Sequence, residues 1–167
     1  REPKRFWLNW LPVATSLVKG DTPANRDINI TQIDLIARGR TVTITDPLNF
    51  YLRYHWLRLH NQGNDDVATF NGGDSVKVRV TLTSTSTSPD TDLVALRFGF
   101  NSLYKNRAKM NLVSQSERTK IFERTFYVHP RPGFFHAAVE AATKATLFDD
   151  DPLKYSVSWW GVPYRVF

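Results

Sequence analysis

Cysteine is absent from the 167 residues, which excludes a disulfide framework and a thiolate metal centre and leaves redox compartment unreadable. No apolar run approaches the roughly 18 residues that a membrane-spanning helix needs, so any signal or anchor would lie outside this sequence. The chain opens on Arg1 rather than methionine, as expected of a processed or excised segment. The formal charge is +6, yet no run of five or six like charges occurs. A nucleic-acid arm normally concentrates its Lys and Arg to neutralise several phosphates at once. The nearest approach is Arg1, Lys4 and Arg5, which reads as a solvated chain end.

Catalytic and metal signatures are equally scarce. His55, His60, His129 and His136 form no His-x-His or His-x-x-x-His pair, the spacings that zinc sites commonly use. No G-x-S-x-G elbow is present, and the glutamates are only Glu2, Glu117, Glu123 and Glu140. An EF-hand loop pattern is also missing. The expectation is a protein that is not an enzyme and carries no cofactor.

What the sequence does contain is strand grammar. Asn71-Gly72-Gly73-Asp74 is a turn, and after it Val76, Val78, Val80 and Leu82 alternate with Lys77, Arg79, Thr81 and Thr83. A strand with one buried and one solvated face requires this period of two. Asp27 to Ile36 alternates with a phase slip at Thr31 and Gln32 that a bulge would absorb. Arg38-Gly39-Arg40 is a tight turn into Thr41 to Thr45, with Val42 and Ile44 inward and Asp46-Pro47 as a strand stop. Phe50 to Leu59 is apolar on both faces and reads as a central strand. Asn61 to Asp66 is a loop by composition, and Thr83 to Thr91, rich in hydroxyls, is an exposed connection.

Leu93 to Phe100 and Ile121 to Val128 are further strands, the second placing Phe122, Arg124, Phe126 and Val128 on one side. Phe134 to Phe148 is ambiguous: alanine favours helix, while Phe135, Ala137, Val139 and Ala141 alternate as a strand would. Its position between Pro130-Arg131-Pro132-Gly133 and Asp149-Asp150-Asp151-Pro152 favours strand. Short strands at roughly ten-residue intervals match a sandwich better than any helical architecture, so the expectation is an all-β fold, a single antiparallel β-sandwich. Residues 27–167 would form it, preceded by an apolar, aromatic segment and linker over residues 1–26.

The order of signals from Gly73-Asp74-Ser75-Val76 through Pro132-Gly133-x-Phe135-x-Ala137-x-Val139 to the acidic turn resembles the bacterial and archaeal cell-adhesion-related domain. The resemblance covers about residues 70–167 and rests on turn-and-strand order. It departs from that family at residues 149–154, in the long 102–120 segment, and over residues 1–60. It implies that the sandwich is immunoglobulin-like or fibronectin-like and that its role is non-catalytic and extracellular, in adhesion or assembly, with no particular ligand.

Candidate contact residues follow from the aromatics. Trp7, Trp10, Trp159, Trp160 and Tyr164 are expected to meet a protein partner or, alternatively, to stack on a carbohydrate. Trp159 and Trp160 are adjacent, so one should face the core and the other outward. Phe6 to Val13 must be covered, either as an extra strand on its own sandwich or as one donated to a neighbouring subunit. Asp149, Asp150 and Asp151 are the candidate calcium ligands, with a solvated turn as the competing reading. Asn29-Ile30-Thr31 is a glycosylation triplet of a kind that also arises by chance. The expectation is an adhesion or assembly module at a cell or particle surface, forming protein or homotypic contacts. A carbohydrate-binding module and a viral coat subunit, the latter with nucleic acid at Arg1 to Arg5, are the alternatives.

Overall fold

A computed structural model describes residues 19–21, 28–60, 68–85, 91–96, 107–143 and 156–167 of the chain. The buried valines after the Asn71–Asp74 turn lie on β5 (Ser75–Ser84), where Val76, Val78, Val80 and Leu82 are fully inaccessible. β5 sits at the centre of a five-stranded antiparallel sheet. Its neighbours are β2 (Ile28–Ala37) and β9 (Thr119–Tyr127), and its edges are β3 (Arg40–Ile44) and β8 (Asn111–Gln115).

The phase slip in β2 is a register shift between Ile30 and Gln32 in the ladder with β5. The shift leaves Thr31 without a partner on β5, and beside it the Ile30 N–H donates to the buried Ser158 Oγ of the opposite sheet at 3.4 Å. The β2–β3 loop is Arg38-Gly39, with φ of 50° and 72°. Both positive angles belong to the two-residue turn whose twist matches the flanking strands.

The second sheet contains β1 (Lys19–Asp21), β11 (Ser156–Val166), β10 (Gly133–Thr143), β6 (Thr91–Leu96) and β7 (Arg107–Lys109), in that order. The short β4 (Thr69–Phe70) pairs in parallel with the end of β11. Residues 19–21, expected as linker and turn, thus form a strand against Ser158 to Trp160. The ambiguous alanine-rich segment is strand β10: Phe135, Ala137, Val139 and Ala141 are buried against the first sheet. Pro163 interrupts β11 only opposite His136, between the stretches that pair with β1 and β4, where no partner needs its missing N–H.

The type of one element differs from expectation. Phe50 to Leu59 is not a central strand but lies within helix α1 (Pro47–His60). Asp46-Pro47 is a helix start: the Asp46 carboxylate accepts the Asn49 N–H at 3.0 Å, its carbonyl accepts the Phe50 N–H at 3.0 Å, and Pro47 occupies the first turn. Pro47, Phe50, Tyr51 and Tyr54 are buried while Asn49, Arg53 and Trp56 are exposed, a spacing of three and four that only a helix produces.

The inner faces of the two sheets share one core, completed by Phe122, Phe126, Trp160, Val162 and Tyr164. α1 covers the opposite face of the β10–β11 sheet. Tyr54 packs edge-on against Phe134 and donates its hydroxyl to the Tyr164 carbonyl at 3.0 Å. The described residues form a mostly antiparallel β-sandwich of two sheets, with α1 as a third layer.

Candidate interaction surface

β7 and β8 are almost continuous in sequence yet belong to different sheets, with buried Met110 between them as the corner. After that corner the chain leaves the core. Every residue from Asn111 to Arg118 is exposed, including Leu112 at 48% and Val113 at 52%. β8 pairs only with β9 and ends the five-stranded sheet, so among the described residues no strand satisfies its outer side.

The β8–β9 ladder shifts register between Leu112 and Ser114, which leaves Val113 without an opposite number on β9. A bulge of this kind bends the strand and increases its twist. At the tip, Ser116 donates its N–H to the Thr119 carbonyl at 2.8 Å, and Ser84 donates to the Arg118 carbonyl at 2.8 Å. At the base, Arg124 donates to the Lys109 carbonyl at 2.6 Å. The hairpin is therefore tethered at both ends while its middle presents apolar side chains and backbone groups to solvent. Natural edges are blunted by Lys, by Pro, by shortness or by a bulge; β8 contains no Lys or Pro, but is five residues long and bulged at Val113.

A cleft of about 280 Å³ opens at one end of the sandwich, between the β2–β3 hairpin, β4 and Phe167. Its polar groups are engaged with each other. Arg38 pairs with Asp74 at 2.6 Å, and Arg40 donates to the Thr69 carbonyl at 3.0 Å and to Thr69 Oγ1 at 3.2 Å. Asp74 also accepts the Asn71 N–H at 2.9 Å, so this end is a braced turn, and no histidine borders it.

A third cluster lies between α1 and β10. His55 and His136 have ring centroids 6.3 Å apart, with Tyr51 and Tyr54 against both. Glu140 is buried on the same strand as His136. These groups pack the helix onto the sheet. Among the described residues, no group of three or more His, Asp or Glu is placed to hold a metal ion.

Of the candidate contact residues, the side chains of Trp160 and Tyr164 are among those described. Trp160 and Tyr164 are corrected to core residues: they are 3% and 0% exposed, because their positions on β11 fall on the inner face with Val162 and Val166. Of the adjacent tryptophans, Trp160 is the inward one. Burial raises the Tyr164 hydroxyl from 10.0 to about 12, although a hydrogen bond with the His129 backbone acts in the other direction. Trp7, Trp10, the Trp159 side chain and Asp149, Asp150 and Asp151 lie outside the described residues.

Sequence reasoning missed Leu112 and Val113. Their segment has neither the alternation of a half-buried strand nor a charge run, and that lack of pattern was the available signal. Trp56, half-exposed on α1, Tyr127, largely exposed on β9, and Phe167 after β11 are the large exposed aromatics among the described residues. Tyr127 is on the side of its sheet opposite core residue Phe126, whereas α1 covers the other sheet, so the Tyr127 and Trp56 rings form no shared platform.

No protein-family model matches the chain, and no curated protein matches it. Among solved structures it is similar to a Niemann-Pick type C2 protein from the Japanese carpenter ant, with a TM-score of 0.43 and 9% identity over 88% of this chain and 98% of that one. Among the described residues, no helix is long and apolar enough to cross a membrane.

Proposed function

We propose that this chain is a non-catalytic adhesion or assembly module at a cell or particle surface, and that it meets a protein partner along the β8 edge. The observation that carries this reading is the exposed, uncharged strand Asn111–Gln115 with Leu112 and Val113 half in solvent at an open sheet end. Strand addition supplies affinity through main-chain hydrogen bonds, and exposed apolar side chains at the edge supply the contact that excludes water. Trp160 and Tyr164, expected as contacts for a protein or for a carbohydrate, are in the core and serve neither.

The test is light scattering across concentration on the full chain, a chain lacking residues 1–13, and a Leu112→Glu/Val113→Glu variant. The expected result is mass growth that the edge variant suppresses while its melting temperature stays put. Growth that ignores the edge variant and vanishes on truncation would transfer the contact to residues 1–13 and overturn the β8 assignment.

A further inference from the structure

We infer that Asn71 is a site of self-modification, at which the Gly72 backbone nitrogen displaces the side-chain amide and water completes the conversion to aspartate or isoaspartate. Asn71 is the one asparagine of the chain that a glycine follows. Lacking a Cβ, glycine leaves its own nitrogen open to approach. The fold holds glycine there, because a Cβ would stand 2.3 Å from the Pro130 carbonyl oxygen. The packing of one turn therefore fixes the residue that makes its neighbour reactive.

The reacting groups are free to meet. Asn71 and Gly72 are both exposed, and among the described residues nothing accepts the Gly72 N–H or bonds the Asn71 carboxamide. Hydroxide takes the Gly72 proton and the nitrogen forms a bond to Asn71 Cγ. The side-chain nitrogen leaves as ammonia with a proton from water, which restores the hydroxide. Water then opens the resulting succinimide. Cleavage at Cγ gives aspartate; cleavage at the main-chain carbonyl gives isoaspartate, whose backbone runs through Cβ and Cγ. The sum is water consumed and ammonia released, with nothing oxidised or reduced.

Asp74 restrains this reaction. Its carboxylate accepts the Asn71 N–H at 2.9 Å and is anchored by Arg38 at 2.6 Å, while its own N–H donates to the Asn71 carbonyl at 3.0 Å. Ring closure brings the Gly72 nitrogen over Asn71 Cβ, a dihedral outside the helical and extended regions, and that rotation carries the Asn71 carbonyl off the Asp74 N–H. Asp74 is thus a positioning residue, and the turn must open before it reacts. The two products disturb different things. Aspartate sets a second carboxylate on the cleft that Arg38, Arg40 and Asp74 line. Isoaspartate lengthens the main chain by one carbon, which displaces Gly72 from Pro130 and Gly73 from the His129 carbonyl that accepts its N–H at 3.4 Å.

The experiment is incubation of the folded full chain at mildly alkaline pH as wild type, Asn71→Gln, Asp74→Ala and Arg38→Gln. Peptide mapping by mass spectrometry reads amide loss at each asparagine, an isoaspartate assay separates the products, and melting curves show which variants are folded. The expected result is that Asn71 loses its amide before Asn49 or Asn111, and that the isoaspartyl fraction melts below the unmodified chain. Asn71→Gln, which would have to close a larger ring, should keep its amide. Asp74→Ala should accelerate conversion at Asn71 about fivefold, the population factor that one hydrogen bond commands, and leave Asn49 and Asn111 unchanged. Arg38→Gln removes only the exposed anchor of that carboxylate and should accelerate it less, which keeps the test open if Asp74→Ala does not fold. An Asn71 amide that lasts as long as those of Asn49 and Asn111 overturns the inference. Conversion that neither variant accelerates overturns the restraint by Asp74. Acceleration spread equally over Asn49 and Asn111 overturns it too, because general loosening rather than release of one turn would then be the cause.

Discussion

Gly72 is held in place by space rather than by backbone angle. A Cβ built there would meet the Pro130 carbonyl oxygen at 2.3 Å and its carbon at 3.0 Å, and a peptide group cannot swing aside as a flexible side chain would. The adjacent Gly73, at φ of 77°, is needed for the opposite reason: space is open but the angle is left-handed. Gly72→Ala is therefore expected to destabilise the fold by about 1 to 3 kcal/mol, the usual cost of forcing atoms into a packed site. Urea unfolding checks this, and a midpoint equal to wild type would mean the 72–130 approach is looser than it stands here.

Tyr164 gives a second residue-scale prediction. Its folded-state pKa lies near 12 against an ordinary 10.0. The folded state holds the proton more tightly, so this contribution is complete below pH 10 and is lost as pH rises through 12. Two pKa units set an upper limit of about 3 kcal/mol. Unfolding free energy should fall between pH 10 and 12, and Tyr164→Phe should flatten that fall. An identical decline in the variant would assign the effect to other tyrosines or to lysines.

At the scale of elements, α1 depends on its start. Asp46 accepts the Asn49 N–H, one of the four donors that a helix leaves unsatisfied. Asp46→Ala should cost about 1 kcal/mol, with hydrogen exchange accelerated in the first turn of α1 and unchanged in β5. Equal acceleration in both would show that the helix does not open separately. The same residues show where sequence reading stopped. Asp-Pro ends strands and also starts helices, and the aromatics of Phe50 to Leu59 are dense enough to hide a period of 3.6 behind one of two. β2, β3, β5 and β9 were legible because each buries one face and leaves the other largely in water, so alternation survives in the sequence; β10, with the core on one side and α1 on the other, was legible only through the turns that flank it. β8 was not legible because neither of its faces is buried, and nothing then constrains its pattern. Trp160 and Tyr164 were misjudged as contacts because a tryptophan beside a tryptophan shows that one is inward without showing which.

At the scale of the whole molecule, two sheets and one helix divide the surface unequally. The β10–β11 sheet has the core on one side and α1 on the other, whereas the outer side of the β5 sheet is finished with polar pairs. Arg79 meets Glu123 at 2.6 Å there, and buried Asp34 accepts from Thr43 at 2.7 Å and from Gln32 at 3.1 Å. That face is closed by its own hydrogen bonds and offers a partner little uncommitted polarity. The open places are the sheet ends, and β8 differs from β3 in kind. β3 alternates buried Val42 and Ile44 with exposed threonines, while β8 has no buried residue at all. Local stability should follow this gradient, since strands with core contacts on both sides open only with the whole fold. Native-state hydrogen exchange is expected to be slowest at Val76 to Leu82 and along Phe135 to Ala141, intermediate in β3, and fastest in Asn111 to Gln115 in dilute solution. As concentration rises, protection should appear in β8 and in no other strand, because pairing satisfies the outer backbone groups of that edge alone. Dilute protection in β8 equal to that of β5 would mean the edge is already covered within one chain, and the docking surface would then have to be sought elsewhere.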